Sequence, residues 1–286
     1  MAQNPIYEQQ NITYNDLCRI SCLRTRPALF CGFWGSCFNA YQDAEPHEGY
    51  EILKKWCQSS RQDYYIYTSN VDGHFRRKGF PTNRIHEIHG ATDNWLREEI
   101  GDDSGSRTTK ENLPLVLDVS FRFPVDDNLE LQPDSMNEIL CGKDKTIEPM
   151  PCYRPKVLMF DDGLEVHDAM GLTKSSCDYQ AWEESMECIM ETNQDLKLVV
   201  LEIGCGTKVP SVRRECEDVI GDTEKRAAGD VPNPSRFVHI RINPDEYEID
   251  NSKSAQGMTT SIAIQGSGLD TLRAIDVHYQ NFIQQD

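Results

Sequence analysis

Five apolar runs of strand length, separated by helical patterns, constrain this chain most. They span residues 64–67, 157–160, 196–203, 237–242 and 261–265. Such an alternation predicts an α/β fold, Rossmann-like, with a mostly parallel sheet and helices on both faces. Helices are predicted over 48–56, just after Pro46, over 178–191, and over 269–282. In the second of these, Trp182, Met186 and Ile189 recur at helical spacing. One region breaks the rhythm. Residues 91–150 are polar and acidic, with turn signals at 101–106 and 125–128 and a short apolar run at 113–119. The expected organisation is one α/β domain over 1–90 and 151–286, with a small lobe inserted at 91–150.

Composition narrows the class of partner. The chain of 286 residues carries a net charge of −18, with a pI near 4.8. A nucleic-acid surface needs a basic stripe, and none is present, so no nucleic-acid partner is expected. The tightest basic cluster is Arg76-Arg77-Lys78, and three such charges usually form a solvated loop. No apolar run approaches the roughly 18 residues of a membrane span, so no membrane partner is expected. Eleven cysteines without a secretory signal point to reduced thiols and a cytoplasmic or nuclear location. The acidic excess suits solubility, or attraction of a basic peptide.

Chemistry concentrates after the first apolar run. Thr68-Ser69-Asn70-Val71-Asp72-Gly73-His74 follows a predicted strand, where open α/β sheets place their ligands. Glu87-Ile88-His89-Gly90 comes shortly after. Taken alone, Asn-x-Asp-Gly is commonly a turn and a histidine after a strand is commonly a core residue. Later come Arg154-Pro155 before the 157–160 run, Gly204-Cys205-Gly206 after the 196–203 run, Asn243 at the end of the next, and Gln265-Gly266-Ser267-Gly268 near the end of the chain.

In this order, from about residue 24 onward, these elements resemble the sirtuins, NAD-dependent protein deacylases. Each motif is weak singly; six in sequence carry the resemblance. It implies NAD as cofactor and an acylated protein or peptide as partner. It implies that Thr68 and Ser69 bind the cofactor, that Asp72 and the Val71 backbone hold the nicotinamide carboxamide, that Asn70 orients the ribose, and that His89 is the general base. Asn70 and Asp72 join His89 as catalytic candidates. The same resemblance gives Gly204, Cys205, Gly206, Asn243 and Gly268 to the rest of the cofactor, and Phe160 to the acyl-lysine tunnel. Histidine, with a pKa of roughly 6.5, suits base chemistry near neutrality.

The sequence departs from the family in three places. Nothing before Arg24 resembles the family's Gly-Ala-Gly-x-Ser phosphate loop, so the first βα unit is expected to be absent. Losing two or three charge-assisted hydrogen bonds at about 1.5–3 kcal/mol each would turn micromolar binding into millimolar. It would also expose a sheet edge, unless a partner chain completes the fold. The zinc cysteines are missing as well: between Gly90 and Arg154 only Cys141 and Cys152 occur, so no zinc and no other metal is expected. Lastly, Ser69 stands where the family has glutamine. The alternatives to a deacylase are an impaired sirtuin-like pseudoenzyme or binding subunit, and an NAD hydrolase or ADP-ribosyltransferase.

Overall fold

The computed structural model describes residues 5–58, 63–99, 107–108, 115–132, 135, 138, 152–227, 236–250 and 259–283. The chain forms two compact units. The first comprises Met1–Glu45, Asn70–Arg77 and Glu87–Ser175; the second comprises Pro46–Ser69, Lys78–His86 and Ser176–Asp286. These do not coincide with the division drawn from the sequence, because residues 1–45 belong with the 91–150 region.

The first unit is built around α4 (Pro27–Asp43), with Pro27 in its opening turn, where a missing N–H costs nothing. Its Leu29, Phe30, Phe33, Trp34 and Phe38 are all buried. Three short helices, α1 (Pro5–Gln9), α2 (Tyr14–Leu17) and α3 (Ile20–Thr25), add Tyr7, Leu17 and Leu23 to the same core. Trp95, Phe123 and Leu131 complete it. The described part of the polar 91–150 region therefore packs tightly on α4. Asn39 exchanges two hydrogen bonds of 2.9 Å with the Phe123 backbone. At Gly32 a Cβ would lie 2.1 Å from the Leu129 carbonyl oxygen, so only glycine permits this approach.

An antiparallel sheet stands beside this core. Its central strand β3 (Gly90–Glu99) pairs with β4 (Arg107–Thr108), β5 (Leu115–Val116) and β6 (Cys152–Val157). Here the expected 157–160 strand is corrected: β6 ends at Val157 and is antiparallel to β3. The cause is an ion pair. Fully buried Arg154 binds Asp162 at 2.6 Å through Nη1, and Asp162 also accepts the Met159 N–H at 2.7 Å. This bends 158–162 out of the strand. The segment α7 (Leu164–Ala169) follows.

The second unit holds the parallel sheet. Strands β7 (Leu198–Ile203), β8 (Phe237–Asn243) and β9 (Thr259–Gln265) pair in that order. A separate pair joins β1 (Ile66–Thr68) to β2 (Ile85–Glu87). Helix α9 (Ser211–Arg226) packs on β7 and β8, while α10 (Gly268–Ile283) packs on α5 (Glu48–Gln58). Trp56 Nε1 donates to Asp276 at 2.8 Å across the latter pair. Most of the long α8 (Leu172–Thr192) also belongs here, its end gripped by Arg236, which donates to the Asn193 and Leu196 carbonyls. Among the described residues β7 pairs only with β8, and Val199 is 56% exposed.

Candidate functional site

The sequence-predicted residues fall in two groups, one on each unit. On the first unit, Asn70, Val71 and Asp72 form a turn whose shape is over-determined. The Val71 carbonyl accepts both the N–H and the hydroxyl of buried Thr92, each at 3.0 Å. Asp72 Oδ1 accepts the His74 N–H at 2.8 Å, and its Oδ2 lies 3.7 Å from His74 Nδ1. Gly73 has φ +68°, a conformation that favours glycine. Arg76 then locks the turn's far side, binding Asp93 at 2.6 and 3.0 Å and both oxygens of Glu87 at 3.1 Å. Asn70 itself is exposed.

His89 sits half-buried just before β3, and its carbonyl accepts the Leu158 N–H at 2.9 Å. Burial pushes its imidazole below the ordinary histidine value, and His167 on α7 adds to the effect. At neutral pH the ring is therefore free to accept a proton. Gly90 follows with φ +82°, where a Cβ would lie 2.0 Å from the Lys156 carbonyl oxygen. The glycine of the His-Gly pair is thus dictated by the β3–β6 pairing. Phe160 is 56% exposed, and its N–H donates to the Cys18 carbonyl at 2.9 Å.

On the second unit the fold brings Gly204, Cys205, Gly206, Asn243 and Gly268 to the carboxyl ends of the parallel strands or the turn after β9. Gly204 has φ +70°, and no atom lies within 4 Å of where its Cβ would be. At Gly268 a Cβ would meet Ile203 Cγ2 at 2.9 Å. The Cys205 carbonyl accepts from Asn243 Nδ2 at 3.0 Å and from Arg213 at 2.7 Å. Asn243 Oδ1 accepts the N–H groups of Asp245 and Glu246, both at 3.0 Å. Its carboxamide is thus largely engaged in shaping the loop, with one amide N–H to spare. Burial pushes the Cys205 thiol up to about 11. Thr68 is buried at the end of β1 and Ser69 is half-buried after it.

The donor set on this unit fits an anion. Thr207 donates its N–H and hydroxyl to the two carboxylate oxygens of Glu246, at 2.6 and 2.7 Å. Two donors on one exposed residue are able to hold an anionic group, and here the group is the Glu246 carboxylate. Sequence reading passed over Thr92, Thr207, Arg213 and Glu246, and the solvated loop expected at Arg76 is corrected, since Arg76 is paired with Asp93 and Glu87. The only hint was that Thr92 and Glu246 each follow a motif by two or three positions. Among the described residues no group of three or more metal-ligating side chains occurs. Cys141 lies outside the described residues.

Comparison with known proteins bears on the fold. No family model matches the chain. The curated NAD-dependent protein deacylase 2 of Pseudomonas aeruginosa is 31% identical over 83 residues, 29% of this chain and 32% of the relative. The match therefore spans about a third of that protein's length. Solved structures agree over far more. A complex of a Sir2 homologue with NAD superimposes with a TM-score of 0.52 at 11% identity, covering 98% of this chain and 83% of the other. A structure concerned with the basis of sirtuin substrate affinity gives 0.51 at 15%, covering 95% and 83%. Sir2 bound to acetylated peptide gives 0.51 at 12%, covering 96% and 90%. The chain therefore has the α/β fold of the sirtuins.

Proposed function

We propose that this chain binds NAD and cleaves its nicotinamide–ribose bond as a sirtuin-type protein-lysine deacylase. The observation that carries the reading is the glycine-lined loop at the carboxyl ends of the parallel strands, with Thr207 already gripping a carboxylate. Such an end is where open α/β sheets bind nucleotides. The reading gives the phosphates and adenosine ribose to Gly204, Cys205, Gly206, Asn243 and Gly268, with Asn243 acting mainly by holding Cys205 in place. It gives the nicotinamide carboxamide to Asp72 and the Val71 backbone, and the nearby ribose to Asn70, with Thr68 and Ser69 leading into that turn.

NAD, when bound, supplies the labile glycosidic bond. The chain's own contribution is position and proton transfer. Asp72 Oδ2 has capacity to accept a carboxamide N–H, since its Oδ1 already takes the His74 N–H. His89, neutral at pH 7, takes a proton from a ribose hydroxyl at its imidazole nitrogen. Exposed Phe160 offers an apolar wall to an acyl-lysine side chain. Nine of the cysteines are free, which suits a reducing cytosol or nucleus. The reading includes no structural zinc, which elemental analysis of purified protein tests.

A second reading, binding without turnover, uses the same loop at the ends of the parallel strands. Titration calorimetry with NAD tests the common ground of both. Heat fitting a micromolar to low-millimolar dissociation constant supports NAD as ligand. No heat up to about 10 mM, beyond the millimolar affinity of about −4 kcal/mol, would remove NAD from the account.

A further inference from the structure

Thr207 and Glu246 make a closure within the loop after β7. One residue, through N–H and hydroxyl together, holds both oxygens of a carboxylate. Behind the side chain the Glu246 backbone is fixed. Its carbonyl accepts from Arg213 at 2.6 Å and its N–H donates to Asn243 Oδ1 at 3.0 Å. The anchor and the seat thus share the same two residues, because Arg213 and Asn243 also hold the Cys205 carbonyl. From this anchor the side chain reaches back beside Gly206, where a Cβ would lie 3.4 Å from Oε2. Hydrogen bonding from Thr207, with Arg213 and Lys208 nearby, holds the carboxyl below its usual range, so it is charged at neutral pH.

We propose that Glu246 is an internal competitor: its carboxylate fills the anion seat of the loop running from Gly204 to Thr207 and must swing aside before a pyrophosphate binds. The backbone anchor makes this a side-chain motion, with no rearrangement of the loop. The loop thereby keeps its shape without ligand, and affinity is traded for that order. A seat closed nine-tenths of the time weakens a ligand about tenfold, since only the open fraction binds. The inference rests on the NAD reading for the natural ligand alone; the seat itself would take any pyrophosphate group.

The test is titration calorimetry of the full chain and its Glu246→Ala and Glu246→Gln variants, each with inorganic pyrophosphate and with NAD. The expected result is binding of both ligands about tenfold tighter to Glu246→Ala than to the native chain, with Glu246→Gln in between. Equal or weaker binding by the variants overturns the competitor while leaving the NAD reading intact. Tighter pyrophosphate binding with no NAD binding by any of the three keeps the competitor and removes NAD. Silence from both ligands on all three proteins removes both. The Thr207 amide resonance supplies a check on folding: pyrophosphate should return it in Glu246→Ala towards its native position, and an unmoved resonance contradicts the proposal.

Discussion

Both units of this chain bury charge, the first chiefly as the pair Arg154–Asp162 and the second as a network around Glu202. The first has a continuous apolar core of twenty buried residues, rich in interlocking aromatics such as the Phe33–Trp34 pair at 5.2 Å. The second has a small apolar cluster, Met190, Ala227 and Phe237, beneath a sheet that carries buried charge. Glu202 on β7, 1% exposed, meets Arg241 Nε at 2.8 Å, His239 Nε2 at 3.1 Å and Arg213 Nε at 3.4 Å. The contrast teaches how the loop after β7 is held. Glu202 lies two residues before Gly204 in sequence, and Arg213 meets both Glu202 and the Cys205 carbonyl of the loop. A polar network costs stability relative to packed hydrocarbon, but it fixes geometry.

Stability measurements can break this comparison. Phe33→Ala should cost about 3–5 kcal/mol in denaturant unfolding, through lost burial and the cavity left behind. Glu202→Ala should cost a similar 3–5 kcal/mol or so, because it strands two guanidinium groups and an imidazole away from water. The two differ in what restores them. Replacing Arg241 by Met and His239 by Leu in the Glu202→Leu background should recover most of the loss, as a buried ion cluster exchanged whole for hydrocarbon often does. A cluster variant no more stable than Glu202→Ala would mean that the charges do more for stability than the comparison allows.

A smaller effect sharpens the contrast through pH. On the second unit, burial together with Glu215, Glu187, Asp222 and Asp218 pushes Glu183 up to about 7. A carboxyl raised on folding prefers its proton in the native state. Its stabilising share is therefore full below the unfolded value near 4.5 and is lost as pH rises through about 7. Glu183→Gln should match the native chain at pH 4.5 and exceed it at pH 8, by on the order of 1 kcal/mol once solvent screening is allowed for. Equal stabilities at both pH values would show Glu183 to be an ordinary surface acid.

Much of the sheet was legible because apolar strands write themselves plainly. The 237–242 and 261–265 runs lie within β8 and β9, and the three expected helices lie within α5, α8 and α10. Hidden from sequence were contacts made by ordinary polar residues over long separations. Nothing in Arg154 announced its pair with Asp162, which ends β6 early. The helices before Arg24 match no motif, and only packing showed that they join α4. The site was legible as motifs, since Gly90 and Gly204 need their backbone conformations whatever surrounds them. Their supports, Thr92, Arg76 and Glu246, were not, because a threonine or glutamate carries no local signature of what it holds.

The most direct test is release of nicotinamide from NAD with an acetylated peptide, for the native chain and for His89→Ala. The proposed mechanism predicts release by the native chain that depends on the peptide, with an acid limb below the ordinary histidine pKa of about 6.5, because burial lowers that of His89. It predicts a loss of roughly a hundredfold or more in a His89→Ala protein that still unfolds cooperatively. Equal release by the two proteins would contradict the assignment of His89, and none by the native chain would leave binding without turnover as the reading.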